Sequence, residues 1–364
     1  MSADRSLIAP TSKPLLEGAL KEKLQRRAEA TGSLGELEPL AIRLGLMQNT
    51  LKPRFRDPQL VVFAADHGLA VDGLSAPQRK QTHEQVSQLL TGQLPLSVFA
   101  RIQGLELSVV DCGVAEMVAP HDRLIRRKIA HGTRNSRVGL AMSVDQAHAA
   151  IRAGMEIGDT LRGNLVAVAG IGVGAHESAA LVLSRLTDTP VRELIVSGPG
   201  MNTELLNHLM QIVQAAQAKH RDVTDPVEVL AAFGGFEVAV MVGVLLVAAS
   251  KRHLIMVDGI SACAALLVAS RIATPATDYC VFCRSHSHRG LDQALNLFRA
   301  SALLELGMES TDGTGAALAW PLVKCAAALL TEVAEGEDPG PSRPSGVVTQ
   351  AAEFGSAESD GTVH

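Results

Sequence analysis

Residues 165–177 read LVAVAGIGVGAHE, a run of apolar residues that ends in a glycine-rich turn. An amphipathic helical pattern follows directly over residues 177–186. Continuous apolar runs are typical of strands that are buried on both faces of a parallel sheet. A buried strand followed by a turn and a helix is the repeating unit of α/β folds. The stretch therefore predicts an α/β protein with this turn at an edge of a parallel sheet.

The same pattern recurs along most of the chain. Six short apolar runs predict strands at 60–65, 107–111, 165–169, 194–197, 254–258 and 279–283. Apolar residues at helical spacing separate most of them, at 81–90, 144–154, 177–186, 203–219, 236–250 and 261–270. Two helical patterns, 15–29 and 34–46, precede the first strand, and a long one, 316–330, follows the last. This alternation predicts a Rossmann-like, doubly wound, mostly parallel sheet of about six strands.

The composition favours small molecules over nucleic acid as partners. The 364 residues carry a net charge of -5 and only 3% aromatic residues, whereas nucleic-acid binders use basic surfaces and stacking side chains. The longest apolar run, 238–249, is too short to span a bilayer, and the start of the chain lacks the apolar core of a signal peptide. Five scattered cysteines fit reduced thiols. We therefore expect a cytoplasmic protein that binds neither nucleic acid nor membrane.

Polar residues and glycines cluster where the predicted strands end. These ends read Asp66-His67-Gly68, Asp111-Cys112-Gly113, Gly170-Ile171-Gly172-Val173-Gly174, Ser197-Gly198-Pro199-Gly200, Asp258-Gly259 and Ser285-His286-Ser287-His288. Ligands of open parallel sheets bind beyond the carboxyl ends of the strands. The repeated pattern therefore predicts one shared ligand site at this edge of the sheet.

Asp312 precedes Gly313-Thr314-Gly315 and the long apolar helical pattern. Glycines leave the backbone free to bend around a ligand, and the N-H groups at a helix N-terminus attract anions. This arrangement fits a catalytic base held beside a phosphate. The alternative is that Asp312 or Thr314 simply caps the helix, as these residue types often do.

Gly170, Gly172 and Ala175 match the loose form of the dinucleotide-binding fingerprint and equally match a phosphate-binding turn. The dinucleotide form requires an acidic residue at the end of the next strand. Asp188 and Glu193 lie near that distance, but neither ends the 194–197 run. An NAD-dependent enzyme therefore stays open as an alternative to a simple phosphate or ribose role.

The histidines offer a metal site as a further alternative. His286 and His288 form an HxH pair, which His67 and Asp258 would complete as a metal centre. These residues follow separate strands, however, and their spacing pairs no carboxylate with the histidines. Cys280 and Cys283 face opposite sides of a predicted strand. We therefore expect no metal and no other cofactor.

Nine stretches resemble one family in order and spacing, the nicotinate-nucleotide:dimethylbenzimidazole phosphoribosyltransferases of cobalamin nucleotide-loop assembly. They are 31–38 (TGSLGELE), 65–68 (ADHG) with 73–75 (GLS), 110–114 (VDCGV), 131–135 (HGTRN) with 141–142 (AM), 172–174 (GVG), 233–237 (FGGFE), 258–261 (DGIS), 285–287 (SHS) and 312–316 (DGTGA). Each motif alone is weak, but nine in register are specific. The resemblance covers about residues 15–335.

The resemblance implies a Rossmann-like sheet and a small helical domain made from both chain ends. It also implies a homodimer, with a hetero-oligomer containing a homologous subunit as the alternative. The expected segments are a loose arm at 1–14, helices of the small domain at 15–50, a large α/β domain with the nucleotide and base site at 51–310, a C-terminal helix that joins the small domain at 311–334, and a disordered tail at 335–364.

The resemblance also implies a reaction and the residues that perform it. The family moves 5-phosphoribose from nicotinate mononucleotide to 5,6-dimethylbenzimidazole or a related lower-ligand base, which gives α-ribazole 5′-phosphate and nicotinate. The position of its catalytic base is Asp312 here. Binding of the phosphate and ribose is implied for Gly172, Gly174, Ala175, His176, Glu177, Gly198, Gly200, Ser285, Gly313, Thr314 and Gly315. The implied base pocket contains Ser75, Gln85 and Ser310, with Gln81 as an alternative to Gln85.

Several of these positions depart from the family pattern. The family has Glu at position 312, Arg-Leu-Gly at 309–311, Gly-Glu-Met-Gly-Ile-Gly-Asn-Thr-Thr at 169–177 and Gly-Thr-Gly at 198–200. The changes therefore fall in the phosphate cradle and around the base. A paralogue that has lost turnover and acts as a nucleotide-binding regulatory or partner subunit is accordingly an alternative to a working transferase.

Overall fold

The computed structural model describes residues 7–74, 80–195, 203–287 and 289–333. Six strands in this part of the chain form one parallel sheet in the order β3-β2-β1-β4-β5-β6. The strands are β1 Gln59–Ala65, β2 Glu106–Gly113, β3 Leu124–Arg126, β4 Leu165–Ile171, β5 Leu254–Asp258 and β6 Cys280–Cys283. The helices are α1 Pro14–Thr31, α2 Leu37–Gln48, α3 Thr82–Leu90, α4 Pro95–Ile102, α5 Val144–Thr160, α6 Ala175–Thr187, α7 Val191–Leu194, α8 Thr203–Lys219, α9 Pro226–Phe233, α10 Phe236–Ser250, α11 Ile260–Ile272, α12 Arg289–Leu297 and α13 Thr314–Thr331. The predicted doubly wound α/β class is confirmed.

One predicted strand, 194–197, is not a strand over its described residues. The run at 194–197 begins on the last residue of the short helix α7, and residues 196 and 197 lie outside the described part. The remaining strand of the sheet is β3, which pairs in parallel with β2 over Val109 to Asp111. Sequence reasoning missed β3 because it has only three residues, and none of them is fully buried.

The order of the strands reverses between β1 and β4, which pair directly in parallel. Connections leave in opposite directions from such a pair, so a crevice opens beyond their carboxyl ends. The Gly172-Val173-Gly174 turn after β4 and the Asp66-His67-Gly68 turn after β1 both lie at this position.

Helix α10 forms the centre of the core on one face of the sheet. It is buried nearly all round and packs against β1, β2, β4 and β5. Its closest helical neighbour is α5, and glycine makes the approach possible on both sides. A Cβ atom at Gly154 of α5 would overlap the backbone of Val240, and one at Gly243 of α10 would overlap the backbone of Ile151. The two backbones therefore touch without intervening side chains.

Helix α13 covers the other side of the sheet near β5 and β6, and α1 and α2 pack against it. Its length and apolar composition alone would allow it to cross a membrane. Ala316, Val323 and Leu330 are all buried, however, so the helix is part of the protein core. The contact of α1 and α2 with α13 fits the expected small domain made from both ends of the chain. The boundaries of this domain stay a prediction.

The N-terminal segment is docked where the sequence suggested a loose arm. Ile8 is buried, and the carbonyl of Ala9 accepts a hydrogen bond of 2.6 Å from the Tyr279 hydroxyl. The backbone N-H of Thr11 donates to Asp278 at 3.0 Å. The expectation of a loose arm is therefore wrong for residues 8–11. The predicted disordered tail at 335–364 lies outside the described residues.

A buried ion pair joins the end of β1 to the start of α10. His67 Nε2 lies 3.0 Å from Glu237 Oε1, and both side chains are almost completely buried. The other ring nitrogen of His67 lies 3.1 Å from the carbonyl of Val173. Burial alone would lower the pKa of His67, but the carboxylate of Glu237 outweighs burial and raises that pKa. His67 therefore links Val173, in the glycine turn after β4, to Glu237 in the first turn of α10.

We expect Glu237→Gln to lower the free energy of unfolding by about 3–5 kcal/mol at acidic pH, because it leaves a buried imidazolium unpaired. The raised pKa of His67 stabilises the wild type below about pH 6.5, the ordinary pKa of histidine, and this contribution is lost as the pH rises through the raised value. The difference between variant and wild type should therefore shrink at alkaline pH, as measured by urea denaturation. The same exchange at Glu228, an exposed residue in the first turn of α9, is the control. An equal loss at both pH values would contradict this account.

Candidate active site

A cavity of about 350 Å³ opens at the carboxyl edge of the sheet, where β4 ends. It is lined by Gln85, Pro95, Gly170, Ile171, Gly172, His176, His286, Glu309, Ser310, Thr311 and Asp312. These residues come from α3, α4, the end of β4, the first turn of α6 and the loops after β6 and before α13. The topology thus brings together segments that are far apart in the sequence.

Asp312 forms the inner wall of this cavity. Its side chain is only 2% exposed, and it lies between two imidazoles. His176 Nε2 is 3.4 Å from Oδ2, and His286 Nε2 is 3.3 Å from Oδ1. Neither carboxylate oxygen accepts a well-aligned hydrogen bond from the described residues. The two rings stand edge to face, with their centroids 5.6 Å apart.

His286 lies between two carboxylates. Its Nδ1 is 3.3 Å from Glu309 Oε2, and Glu309 also pairs with His286 through an antiparallel backbone bridge. Burial alone would lower the pKa of His286, but Asp312 and Glu309 outweigh it and raise the pKa to about 9. His286 is therefore a cation at neutral pH.

The same charges act on Asp312. Burial alone would raise its pKa, but the imidazoles of His176 and His286 outweigh burial and hold the pKa below its usual range. Asp312 is therefore ionised at neutral pH. A carboxylate with a lowered pKa is a weaker proton acceptor than an unperturbed one.

Asp258, the last residue of β5, holds the start of α13 in place. Its Oδ2 accepts hydrogen bonds from the backbone N-H groups of Gly313 at 3.1 Å and Ala316 at 2.8 Å, and from the Ser285 hydroxyl at 2.8 Å. The hydroxyl of Ser285 in turn accepts from the N-H of Gly315 at 2.8 Å. Burial raises the pKa of Asp258, and the charge of Asp312 adds to this increase. The N-terminus of α13 thus binds an anion that belongs to the protein itself.

The predicted site residues fall into three groups. Those that line the cavity are Gln85, Gly172, His176, Ser310 and Asp312. Those that are buried behind it or beside it are Gly174, Ala175, Glu177, Ser285, Gly313, Thr314 and Gly315. Those outside the described residues are Ser75, Gly198 and Gly200. Five of the predicted site residues thus line one cavity, seven are buried around it, and their roles stay a prediction.

Two groups of the site were not predicted as site residues. His286 was weighed only as part of an HxH pair with His288, which lies outside the described residues. Glu309 was noted only as a departure from the family pattern. Its contact with His286 depends on the tertiary structure, which places the loop after β6 beside the loop before α13.

A second cavity, of about 530 Å³, lies on the other side of the glycine turn after β4. Val173 lines this cavity, whereas Gly172 lines the first one. Its polar wall includes Asp66, which accepts hydrogen bonds from the Thr82 hydroxyl at 2.5 Å and from the N-H of Ala115 at 2.7 Å. His131 and Thr133 also line it. The edge of the sheet therefore offers two neighbouring spaces for ligands.

Comparison with known proteins identifies the family. A family model described as phosphoribosyltransferase matches residues 9–340. The chain belongs to this phosphoribosyltransferase family. A protein of Cupriavidus taiwanensis named nicotinate-nucleotide–dimethylbenzimidazole phosphoribosyltransferase is 40% identical over 336 residues, which cover 92% of this chain and 96% of that protein. A protein of Dechloromonas aromatica with the same name is also 40% identical, over 90% of this chain and 96% of its own length.

A solved structure supports the same family. The crystal structure of the nicotinate-nucleotide–dimethylbenzimidazole phosphoribosyltransferase from Thermus thermophilus superimposes with a TM-score of 0.82 at 30% identity. The match covers 91% of this chain and all of that one. The structural similarity thus includes both the sheet and the helices near the two ends of the chain. The structure does not favour the NAD-dependent alternative, because Glu193 lies on α7 and Asp188 at the end of α6, so neither acidic residue ends a strand.

We expect Gly259→Ala to destabilise the protein and to displace Asp312, because a Cβ atom at Gly259 would overlap the Asp312 carboxylate. Gly259 also has a φ of 90° and a ψ of 165°, a backbone region that is almost exclusive to glycine and costs other residues about 1–3 kcal/mol. Gly92→Ala is the matched control, since Gly92 has a φ of 77° and no atom near its missing Cβ. Free energies of unfolding from urea denaturation should fall further for Gly259→Ala than for the control. Equal losses would show that the carboxylate moves aside without cost.

Proposed function

We propose that this chain moves 5-phosphoribose from nicotinate mononucleotide to a ring nitrogen of 5,6-dimethylbenzimidazole or a related base, with release of nicotinate. Membership of the phosphoribosyltransferase family and the names of relatives over nearly the whole chain support this function. The observation in the structure that carries it is an ionised, buried carboxylate, Asp312, at the wall of a cavity of about 350 Å³. The cavity lies where a parallel sheet of this topology binds ligands.

The reaction needs positioning and one proton acceptor. The bond between C1′ of the ribose and the pyridinium nitrogen breaks, and its electron pair leaves with nicotinate. A nitrogen of the acceptor base forms the new bond to C1′, and the base loses its N-H proton. Because the pyridinium is already a good leaving group, the protein mainly has to hold the two rings in line and accept the proton. We assign the proton acceptor to Asp312.

The cavity in front of Asp312 fits the acceptor base. Gln85 and Ser310, the described members of the predicted base pocket, lie on its wall, and Pro95 and Ile171 add apolar surface. The amide of Gln85 donates to the carbonyl of Lys80 at 2.9 Å, which orients the side chain. Further polar wall comes from His176, Glu309 and Thr311. This lining supports an aromatic base that also carries hydrogen-bonding groups.

The donor nucleotide is best placed at the N-terminus of α6. The turn before this helix contains Gly172 and Gly174, the latter with a φ of 85°, and adjoins both cavities. A helix N-terminus of this kind attracts a phosphate. The N-terminus of α13 is a weaker candidate than the sequence suggested, because Asp258 and Ser285 already accept from three of its N-H groups. We extend the proposal to the homodimer and the cytoplasmic location expected from the sequence.

A nucleotide-binding paralogue without turnover is the second candidate. The observation that favours it is the pairing of Asp312 with two imidazoles. These lower the pKa of Asp312 and occupy positions next to both of its carboxylate oxygens. Release of nicotinate separates the two functions. If no base in a panel of benzimidazoles, purines and phenols causes release from nicotinate mononucleotide, the transferase proposal is wrong.

We expect Asp312→Asn to lower the rate of nicotinate release by about 10²–10⁴-fold, the usual contribution of a positioned proton acceptor. The affinity for nicotinate mononucleotide, measured by calorimetry, should change only a few fold, since the carboxylate acts on the acceptor base. Asp145→Asn, at an exposed residue in the first turn of α5, is the control and should leave both quantities unchanged. Unaltered turnover of Asp312→Asn would refute the assignment. Asp312→Glu, which restores the longer side chain of the family, should raise the rate if the shorter acid limits it.

A further inference from the structure

The spacing of His176, His286 and Asp312 is that of metal ligands. Their ligand atoms all lie within 4.8 Å of one another, and the two imidazole Nε2 atoms are 3.4 and 3.3 Å from the carboxylate oxygens. Two ligand atoms bound tetrahedrally to one zinc ion at about 2.0–2.1 Å are about 3.3 Å apart. Each Nε2 atom is therefore about as far from one carboxylate oxygen, Oδ2 for His176 and Oδ1 for His286, as two ligand atoms are across a coordinated ion.

Asp312 supplies an independent observation. Its side chain is 2% exposed, yet neither of its oxygens accepts a well-aligned hydrogen bond from the described residues. Hydrogen bonds from nitrogen to oxygen usually measure about 2.7–3.2 Å, so the contacts with the two imidazoles are long as well as misaligned. The two imidazoles balance the charge of Asp312 but give neither oxygen a hydrogen bond of good geometry. A cation bound to one of these oxygens and to the two imidazoles would give the carboxylate a direct partner and leave a fourth coordination position free.

Glu309 is placed as the hydrogen-bonding partner of one of the ligand histidines. It lies 3.3 Å from Nδ1 of His286, the nitrogen that faces away from Asp312. Histidines that bind metals usually donate their other ring N-H to a carboxylate or a carbonyl, which fixes the orientation of the ring. A ligating imidazole is neutral, so a metal ion has to displace the proton that His286 carries on Nε2 in the metal-free protein. The backbone bridge between Glu309 and His286 holds this partner in place.

We propose that His176, His286 and Asp312 form a binding site for a divalent transition-metal ion of the zinc class, with one coordination position open to the cavity. Two imidazoles and one carboxylate are a common ligand set for zinc, whereas calcium and magnesium prefer oxygen ligands throughout. The open position faces the cavity of about 350 Å³ and takes water or a nitrogen of a bound aromatic base.

The site has a consequence that rests on the proposed function. An ion bound to Asp312 occupies the carboxylate that we assign as proton acceptor. Metal binding and proton transfer therefore compete for the same oxygens. Zinc should inhibit nicotinate release in proportion to the fraction of sites that it fills, and a chelator should restore the rate.

The site itself is tested by metal binding, without reference to turnover. Untagged protein is freed of metal with a chelator and titrated with Zn²⁺ in competition with a chromophoric chelator. We expect one tight equivalent for the wild type and none for His176→Ala or His286→Ala. Glu309→Gln should bind about 10–100-fold more weakly, as is usual when the partner of a ligating histidine is removed. His148→Gln, at an exposed histidine of α5, should bind like the wild type.

Cobalt provides a spectroscopic check on the ligands. The wild type loaded with Co²⁺ should show the intense visible absorption of a four-coordinate site, and a benzimidazole should shift these bands. Thermal melting of each metal-free variant identifies any variant that fails to fold. Glu309→Gln keeps all three ligands, so we expect it to disturb the fold least.

Three results would overturn the proposal in separable ways. The site is wrong if the wild type binds no stoichiometric zinc, or if the two histidine variants bind it as tightly as the wild type. The open position is wrong if no azole alters the cobalt spectrum. The competition is wrong if saturating zinc leaves nicotinate release unchanged. A protein that binds zinc but releases no nicotinate with any base would refute the proposed function and leave the metal site intact.

Discussion

The geometry of the site depends on one buried carboxylate, that of Asp258. A single oxygen of this residue accepts from the N-H groups of Gly313 and Ala316 and from the hydroxyl of Ser285. It thereby joins the end of β5, the loop after β6 and the first turn of α13. Asp312 directly precedes that turn, so its position relative to His286 follows from the same three bonds. Removal of this carboxylate would leave buried donors unpaired in both of the segments that it holds to β5.

The network also explains how two like charges coexist in the core. Asp258 and Asp312 are both almost completely buried and lie close enough to affect each other's ionisation. Asp258 is stabilised by dipoles, since it sits at the N-terminus of a helix and accepts its free N-H groups. Asp312 is stabilised by charge, since it lies between two imidazoles. The difference in surroundings separates a structural carboxylate from a chemically available one, although the two belong to the same cluster.

Much of the fold could be predicted because the core strands carry their signal locally. The apolar run at 254–258 is β5 without any change of boundary, and 203–219 and 236–250 coincide with α8 and α10. β3 was not predicted, because it is a strand through its pairing with β2 and not through its own composition. The motif around Asp312 likewise predicted a residue that lines a cavity at the carboxyl edge of the sheet. Its actual environment could not be predicted, because His176 and His286 are separated from Asp312 by long stretches of chain and meet it only through the order of the strands. The expectation of no metal was also drawn from sequence spacing, and it stays a prediction that the zinc titration tests.

The docking of the N-terminal segment has a consequence for biosynthesis. Thr11 finds its partner Asp278 across 267 residues of chain, and Ala9 accepts from Tyr279 across 270. A ribosome adds about 5–20 residues per second, so residues 9–11 wait on the order of tens of seconds for the partners that fix them. Helices α1 and α2 likewise wait for α13, the last described helix. The sheet around β1, β2 and β4 can assemble during this interval, whereas the docking of residues 9–11 has to await the synthesis of Asp278 and Tyr279.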